Sequence, residues 1–172
     1  MKELTLGGRT LHDQDKVSER LAAITSMVFN VHGVLAMDDV TLVGLDEVVL
    51  TGTTGTVEIA TDRPKLLGTA QIITFSAADK PRLSVALEMG IHCSFISGRM
   101  SPALEARAAE CKVQQLFSKN KEDGEPLTLA ELLSVLGVSA HQVLYVGNDW
   151  NDLRFMKGVG VAVMSYTRSG TG

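Results

Sequence analysis

The run Val143-Leu144-Tyr145-Val146-Gly147-Asn148-Asp149-Trp150-Asn151-Asp152 decides what kind of fold this chain can adopt. A short apolar strand, expected over 142–148, breaks at Gly147 into a polar turn. A helix is expected from Asn151 to Lys157 and a last strand over Gly160-Val161-Ala162-Val163-Met164. Strands this apolar are buried on both faces, which is the habit of parallel sheets covered by helices. The same join of buried strand to polar, Gly-punctuated turn occurs twice upstream. One is Ile96-Ser97-Gly98-Arg99, after a strand over 92–97; the other is Asn30-Val31-His32-Gly33, after a strand over 25–31. In open α/β sheets, ligands bind beyond the carboxyl ends of the strands, so three such ends mark a candidate site.

Between these joins the chain alternates helix and strand patterns. Asp15 to Ala23 is expected to be a short helix, with Val17, Leu21 and Ile24 on one face. Pro81 to Met89 is a helix stopped by Gly90, and Ser101 to Cys111 a helix with Pro102 in its first turn. Val113 to Phe117 is a short strand. Thr128-Leu129-Ala130-Glu131 matches a capping box opening a helix that ends at Gly137. The region 37–76 differs: it is rich in Gly, Thr and Val and too long for an unstructured connection. Glu47 to Thr51 and Gln71 to Phe75 look like strands there. The expectation is one α/β domain over 1–172, with a core of 24–36 and 77–165, a central parallel sheet with helices on both faces, and a β-hairpin flap inserted at 37–76.

Composition narrows the function. Sixteen Lys and Arg against twenty Asp and Glu give a net charge of −4, which argues against a general nucleic-acid binder. No apolar run approaches the ~18 residues of a membrane span, and the first residues lack a signal peptide's apolar core. The two cysteines, Cys93 and Cys111, sit in apolar segments and are read as reduced, buried packing in a cytoplasmic protein. Four scattered histidines give no metal-ligand spacing. Neither G-x-G-x-x-G opening a helix nor G-x-x-x-x-G-K-[ST] is present. Asp13-Gln14-Asp15 precedes a helix rather than following a strand, so it is not read as a nucleophile site.

In order, spacing and local sequence, the three turns resemble motifs of the haloacid dehalogenase superfamily of phosphohydrolases. The resembling segments are Phe29-Asn30-Val31-His32-Gly33-Val34-Leu35, Phe95-Ile96-Ser97-Gly98-Arg99 and Val143 to Asp152, joined by Met156-Lys157-Gly158-Val159-Gly160. The stretch from Ile24 to Met164 is similar to the branch that contains 3-deoxy-octulosonate 8-phosphate phosphatase and the C-terminal domain of some CMP-sialic acid synthetases. The resemblance implies a Rossmannoid sheet with a small flap.

It also implies roles, and the residues present depart from them. In the family the first motif supplies an aspartate nucleophile and an aspartate acid–base; here those positions hold Asn30 and His32. An amide is a far weaker nucleophile than a carboxylate, so the covalent route is expected to fail. The family's magnesium ligands map to Asn30, the carbonyl of His32 and Asn148, with Asp149 and Asp152 left as nearby acids. Mg²⁺ favours charged oxygens, so its binding is expected to be weak or absent. The phosphate-binding turn maps to Ser97 and Gly98. The family's lysine falls near Glu125 by counting, with Lys119 and Lys121 just before it, and Lys121 is taken as the candidate. Trp150 either covers the pocket or anchors packing.

The resulting expectation is a phosphatase-like domain that has lost catalysis and serves oligomerisation or regulation. The resemblance links it to a fused or partner nucleotidyltransferase in a synthetase of the sialic acid type. The ending Arg168-Ser169-Gly170-Thr171-Gly172 is read as that of a piece of a larger protein. The alternative is an active Mg-dependent phosphohydrolase acting on a small sugar phosphate, such as an octulosonate or nonulosonate phosphate. A third class is a sensor that holds a phosphorylated metabolite at Ser97-Gly98. The flap, rich in β-formers, is expected to pair between copies; the related phosphatases form tetramers through it, so a homotetramer is favoured.

Overall fold

A strictly parallel five-stranded sheet organises the chain, because its strands are apolar on both faces and are joined by helical connections. The computed structural model describes residues 5–6, 9–10, 13–36, 41–44, 56–60 and 69–165. A two-stranded antiparallel pair, β1 (Thr5–Leu6) and β2 (Arg9–Thr10), comes first. Helix α1 (Asp13–Ala22) leads into β3 (Ser26–Asn30). Three strands fall inside the insertion: β4 (Thr41–Gly44), β5 (Thr56–Ala60) and β6 (Thr69–Ile73). Then come α2 (Asp79–Glu88), β7 (His92–Ser97), α3 (Pro102–Glu110), β8 (Gln115–Ser118), α4 (Leu129–Leu136), β9 (Val143–Gly147), α5 (Leu153–Met156) and β10 (Val161–Met164).

The sheet order is β10-β9-β3-β7-β8, all parallel. β3 is central. The chain fills one side of it with β7 and β8, then crosses to fill the other with β9 and β10. The carboxyl ends of β3, β7 and β9 therefore lie together, where a doubly wound sheet opens its crevice.

Alternating side chains divide the core between the two faces. Val31, Cys93 and Phe95 pack with Leu83 of α2 and Leu104 and Ala108 of α3. Val28, Ile96, Val143 and Tyr145 pack with Leu132 of α4 and Phe155 of α5. Cys93 and Cys111 are both buried and unpaired, and burial pushes the Cys93 thiol up to about 11. Of Val17, Leu21 and Ile24, only Ile24 is buried; Val17 and Leu21 stay about half exposed.

The caps follow the sequence signals. Ser101 Oγ accepts from Leu104 N at 3.2 Å, with Pro102 in the first turn of α3. Thr128 Oγ1 accepts from Glu131 N at 3.3 Å while Glu131 Oε2 accepts from Thr128 N at 2.8 Å, and Gly137 ends α4 in the left-handed region. The third core strand begins at Gln115 rather than Val113. Lys112 turns with φ 56°, and Val113 N still donates to Ala108 O of the preceding helix.

The strands of the insertion form their own antiparallel sheet in the order β4-β6-β5, a three-stranded arrangement rather than a hairpin. The strand expected at 47–51 lies outside the described residues. The insertion leaves and returns at one place, since Ala36 bridges Phe75. Arg107 holds the returning segment: its Nη2 donates to Ser76 O at 2.7 Å, and its guanidinium lies 5.3 Å from the centre of the Phe75 ring. No described helix is long and apolar enough to cross a membrane.

Candidate functional site

Asn30 is the last residue of β3 and is only 3% exposed. The chain then turns tightly: Leu35 N and Ala36 N both donate to Val31 O at 2.9 Å. This turn aims the carbonyl of His32 back at the Asn30 side chain, and Nδ2 of Asn30 donates to it at 3.1 Å. Gly33 has φ +80°, and a Cβ there would overlap the amide of Asn148, so glycine is required on both grounds. Asn148, just past β9, is thereby pressed against the first turn, and its Oδ1 accepts from Asn30 Nδ2 at 2.6 Å.

Asp152 joins these two segments. Trp150–Asp152 forms a 3₁₀ turn before α5, and Asp152 is fully buried. Its Oδ2 accepts from Asn30 Nδ2 at 3.1 Å, Asn148 N at 3.0 Å and Asp149 N at 3.1 Å. Its Oδ1 accepts from Tyr145 OH at 2.7 Å and pairs with Lys119 Nζ at 2.7 Å. Burial alone would raise the carboxyl pKa, but the hydrogen bonds from Lys119, Tyr145 and the Asn148 backbone hold it below the usual range. Burial, with the Asp152 charge beside it, pushes the Tyr145 hydroxyl upward, so it stays protonated and donates. Tyr145 also stacks on Phe155, with ring centroids 5.3 Å apart.

The lysine here is Lys119, not Lys121. Lys119 directly follows β8, is 8% exposed, and its N–H donates to Ser97 O at 2.7 Å. Its carbonyl accepts from Leu127 N at 2.9 Å and Arg154 Nη2 at 2.8 Å, which fixes the backbone that aims Nζ inward. Lys121 lies two residues further into the loop, outside the sheet, where its Nζ pairs with Glu131 at 2.7 Å. Glu125 lies in the same exposed turn, its carbonyl accepting from Lys121 N. The strand-end rule that located the other three turns would have picked Lys119; counting residues back from Gly147 crosses a loop of unknown length. A buried tyrosine needs a partner for its hydroxyl, and that is the signal Tyr145 carries within its apolar strand.

Ser97 is fully buried at the end of β7, but its hydroxyl is occupied within its own turn. It donates to Arg99 O at 2.6 Å and accepts from Arg99 N at 3.0 Å. Gly98 is exposed, with the Lys119 side chain 3.9 Å from where a Cβ would stand. Asp149 does not join the group through its side chain. It is exposed and caps the 3₁₀ turn, accepting from Trp150 N and Asn151 Nδ2. Trp150 is 85% exposed, so it anchors no packing among the described residues. Among them, too, no three His, Cys, Asp or Glu side chains are grouped to hold a metal ion. A groove of about 650 Å³ beside Glu19, Arg20, His141 and Gly160 lies at the amino ends of β3, β9 and β10, opposite this group.

No protein-family model matches the chain. Solved structures do. The cobalt-bound deoxy-D-mannose-octulosonate 8-phosphate phosphatase of Haemophilus influenzae is 23% identical, with a TM-score of 0.57 over 83% of this chain and 69% of that one. The 3-deoxy-D-manno-octulosonate 8-phosphate phosphatase of Moraxella catarrhalis, in complex with magnesium, phosphate and its sugar acid, is 20% identical, with a TM-score of 0.62 over 90% and 76%. The corresponding phosphatase of Yersinia pestis is 22% identical, with a TM-score of 0.57 over 87% and 68%. The chain shares the α/β fold of these three phosphatases.

Proposed function

We propose that this chain is a phosphatase-fold module that no longer catalyses phosphoryl transfer and acts in oligomerisation or regulation. The observation that carries the reading is Asn30. The position from which the fold's nucleophile would attack holds an amide, and its nitrogen donates inward to three oxygens. An amide side chain has no basic lone pair with which to form an acyl phosphate. The two other groups suited to phosphate are also engaged, Ser97 with Arg99 and Lys119 with Asp152.

Magnesium binding is correspondingly weak or absent in this reading. The candidate donors are Asn30, the His32 carbonyl, Asn148 and Asp152, and only Asp152 brings charge. Its Oδ2 already accepts three N–H groups. Mg²⁺ asks for near-octahedral hard oxygens and gives up water reluctantly, so this set does not fit it. In the wider proposal, the partners are further copies of the chain and a nucleotidyltransferase, fused or separate, of the sialic acid type of synthetase. The setting is the cytoplasm.

The competing reading is a working phosphohydrolase acting on a small sugar phosphate. It draws support from the buried Lys119–Asp152 pair and from the metal-bound neighbours. One assay separates the two. Purified protein with Mg²⁺ is offered an aryl phosphate and octulosonate 8-phosphate, beside Asn30→Ala and the doubly restored Asn30→Asp, His32→Asp variant. The expected result is no turnover by the unmodified chain. Turnover that disappears in Asn30→Ala would overturn the proposal.

A further inference from the structure

Three oxygens from three separate segments converge on one atom. The His32 carbonyl follows β3, Asn148 Oδ1 follows β9, and Asp152 Oδ2 closes the 3₁₀ turn before α5. They lie 3.1, 2.6 and 3.1 Å from Asn30 Nδ2. Oxygens carry negative partial charge and repel one another, so a cluster of this kind holds only around a positive centre. Here it is an NH₂ group with two N–H donors.

We infer that the Asn30 amide fills a cation position, so that the chain closes this pocket with its own donors in place of a metal ion. The inference rests on the non-catalytic reading and deepens it. The charge balance agrees with it. Asp152 is the one carboxylate of the group, and Lys119 Nζ already pairs with it at 2.7 Å. Tyr145 OH and the amides of Asn148 and Asp149 meet its remaining lone pairs. No uncompensated negative charge remains to draw a cation in. The oxygens cannot easily spread to admit one either, because the Asn148 amide lies against Gly33 on its far side. The group thus ties the ends of β3, β8 and β9 together without an ion.

Reversing the chemistry tests this. Asn30→Asp with Asn148→Asp places two more carboxylates beside Asp152, a cluster that only a cation can neutralise. Melting is followed in EDTA and in about 5 mM MgCl₂, and Mn²⁺ binding by electron paramagnetic resonance. The unmodified chain is expected to melt at the same temperature in both buffers and to bind no Mn²⁺ up to about 1 mM. The double variant is expected to melt roughly 5–10 °C lower in EDTA and to recover in Mg²⁺. Asn148→Asp alone keeps the Asn30 amide and should stay as indifferent to Mg²⁺ as the unmodified chain. One Mn²⁺ bound by the unmodified chain below about 100 μM would overturn the inference, whether or not the double variant folds. So would a double variant indifferent to Mg²⁺, or a single variant that gains Mg²⁺ dependence. Bound metal without turnover would defeat this inference alone; turnover without bound metal would defeat only the non-catalytic reading.

Discussion

At the scale of single residues, the Lys119–Asp152 pair sets the largest expected effect. Both side chains are withdrawn from water, at 8% and 0% exposure, and Nζ lies 2.7 Å from Oδ1. Lys119→Met removes one charge and leaves the other buried. Breaking such a pair costs about 3–5 kcal/mol, whereas replacing both partners by apolar groups is often close to neutral. Chemical denaturation is therefore expected to show Lys119→Met strongly destabilised and Lys119→Met with Asp152→Leu less so than additivity demands. The recovery should be incomplete, because Asp152 also accepts from Tyr145 and two backbone amides. A loss under ~1 kcal/mol for Lys119→Met would mean that the pair is open to water in solution.

At the scale of elements, α4 offers two separable tests. Gly137 closes it with φ +67°, and a Cβ there would meet nothing within 4 Å. Gly137→Ala thus isolates the left-handed backbone cost, about 1 kcal/mol, read as a fall of roughly 2–4 °C in Tm. The other end of α4 carries a pH effect. Hydrogen bonds from Lys121 and then from Thr128 hold the Glu131 carboxyl down to about 2. A pKa depressed on folding adds stability above the unfolded value near 4.5, and that stability is lost as pH falls from there toward 2. Carbon-detected titration of Glu131 should place its midpoint well below an ordinary glutamate, and Thr128→Ala should move it up. An unchanged midpoint would show that the capping box is not formed in solution.

At the scale of the whole molecule, the expectation under test is self-association through the insertion. In the described residues its strands form a separate sheet in which β4 and β5 are the outer members. Unpaired strand edges invite pairing between copies. Ile73, at the end of β6, is 5% exposed in the core with Val31 and Phe95, so a lysine there would unfold the chain and is no test of an interface. The better probe uses the Ala36–Phe75 bridge. Because the insertion's two ends are adjacent, residues 40–71 can be replaced by a short Gly-Ser linker without moving the parallel sheet. Light scattering is expected to report a tetramer for the full chain and a monomer for the shortened one. A monomeric full chain would defeat the assembly proposal.

The sequence by itself determined the parallel sheet, the positions of its strands to within two residues and the three turns that meet at its open end. Those features are local: apolar runs, a Gly break and a capping box act over a few neighbouring residues. It also placed amides, Asn30 and Asn148, in two of those turns. It did not determine which lysine enters the group. Lys119 and Lys121 differ by only two positions, and the choice is made by β8 pairing with β7 and by Arg154 and Leu127 gripping the Lys119 carbonyl. Nor did it show that Asp152 would gather Asn30, Tyr145 and Lys119 around one carboxylate, since those partners lie up to 122 positions away. The tertiary structure decided this, because a buried charge must find its donors wherever the packed strand ends supply them.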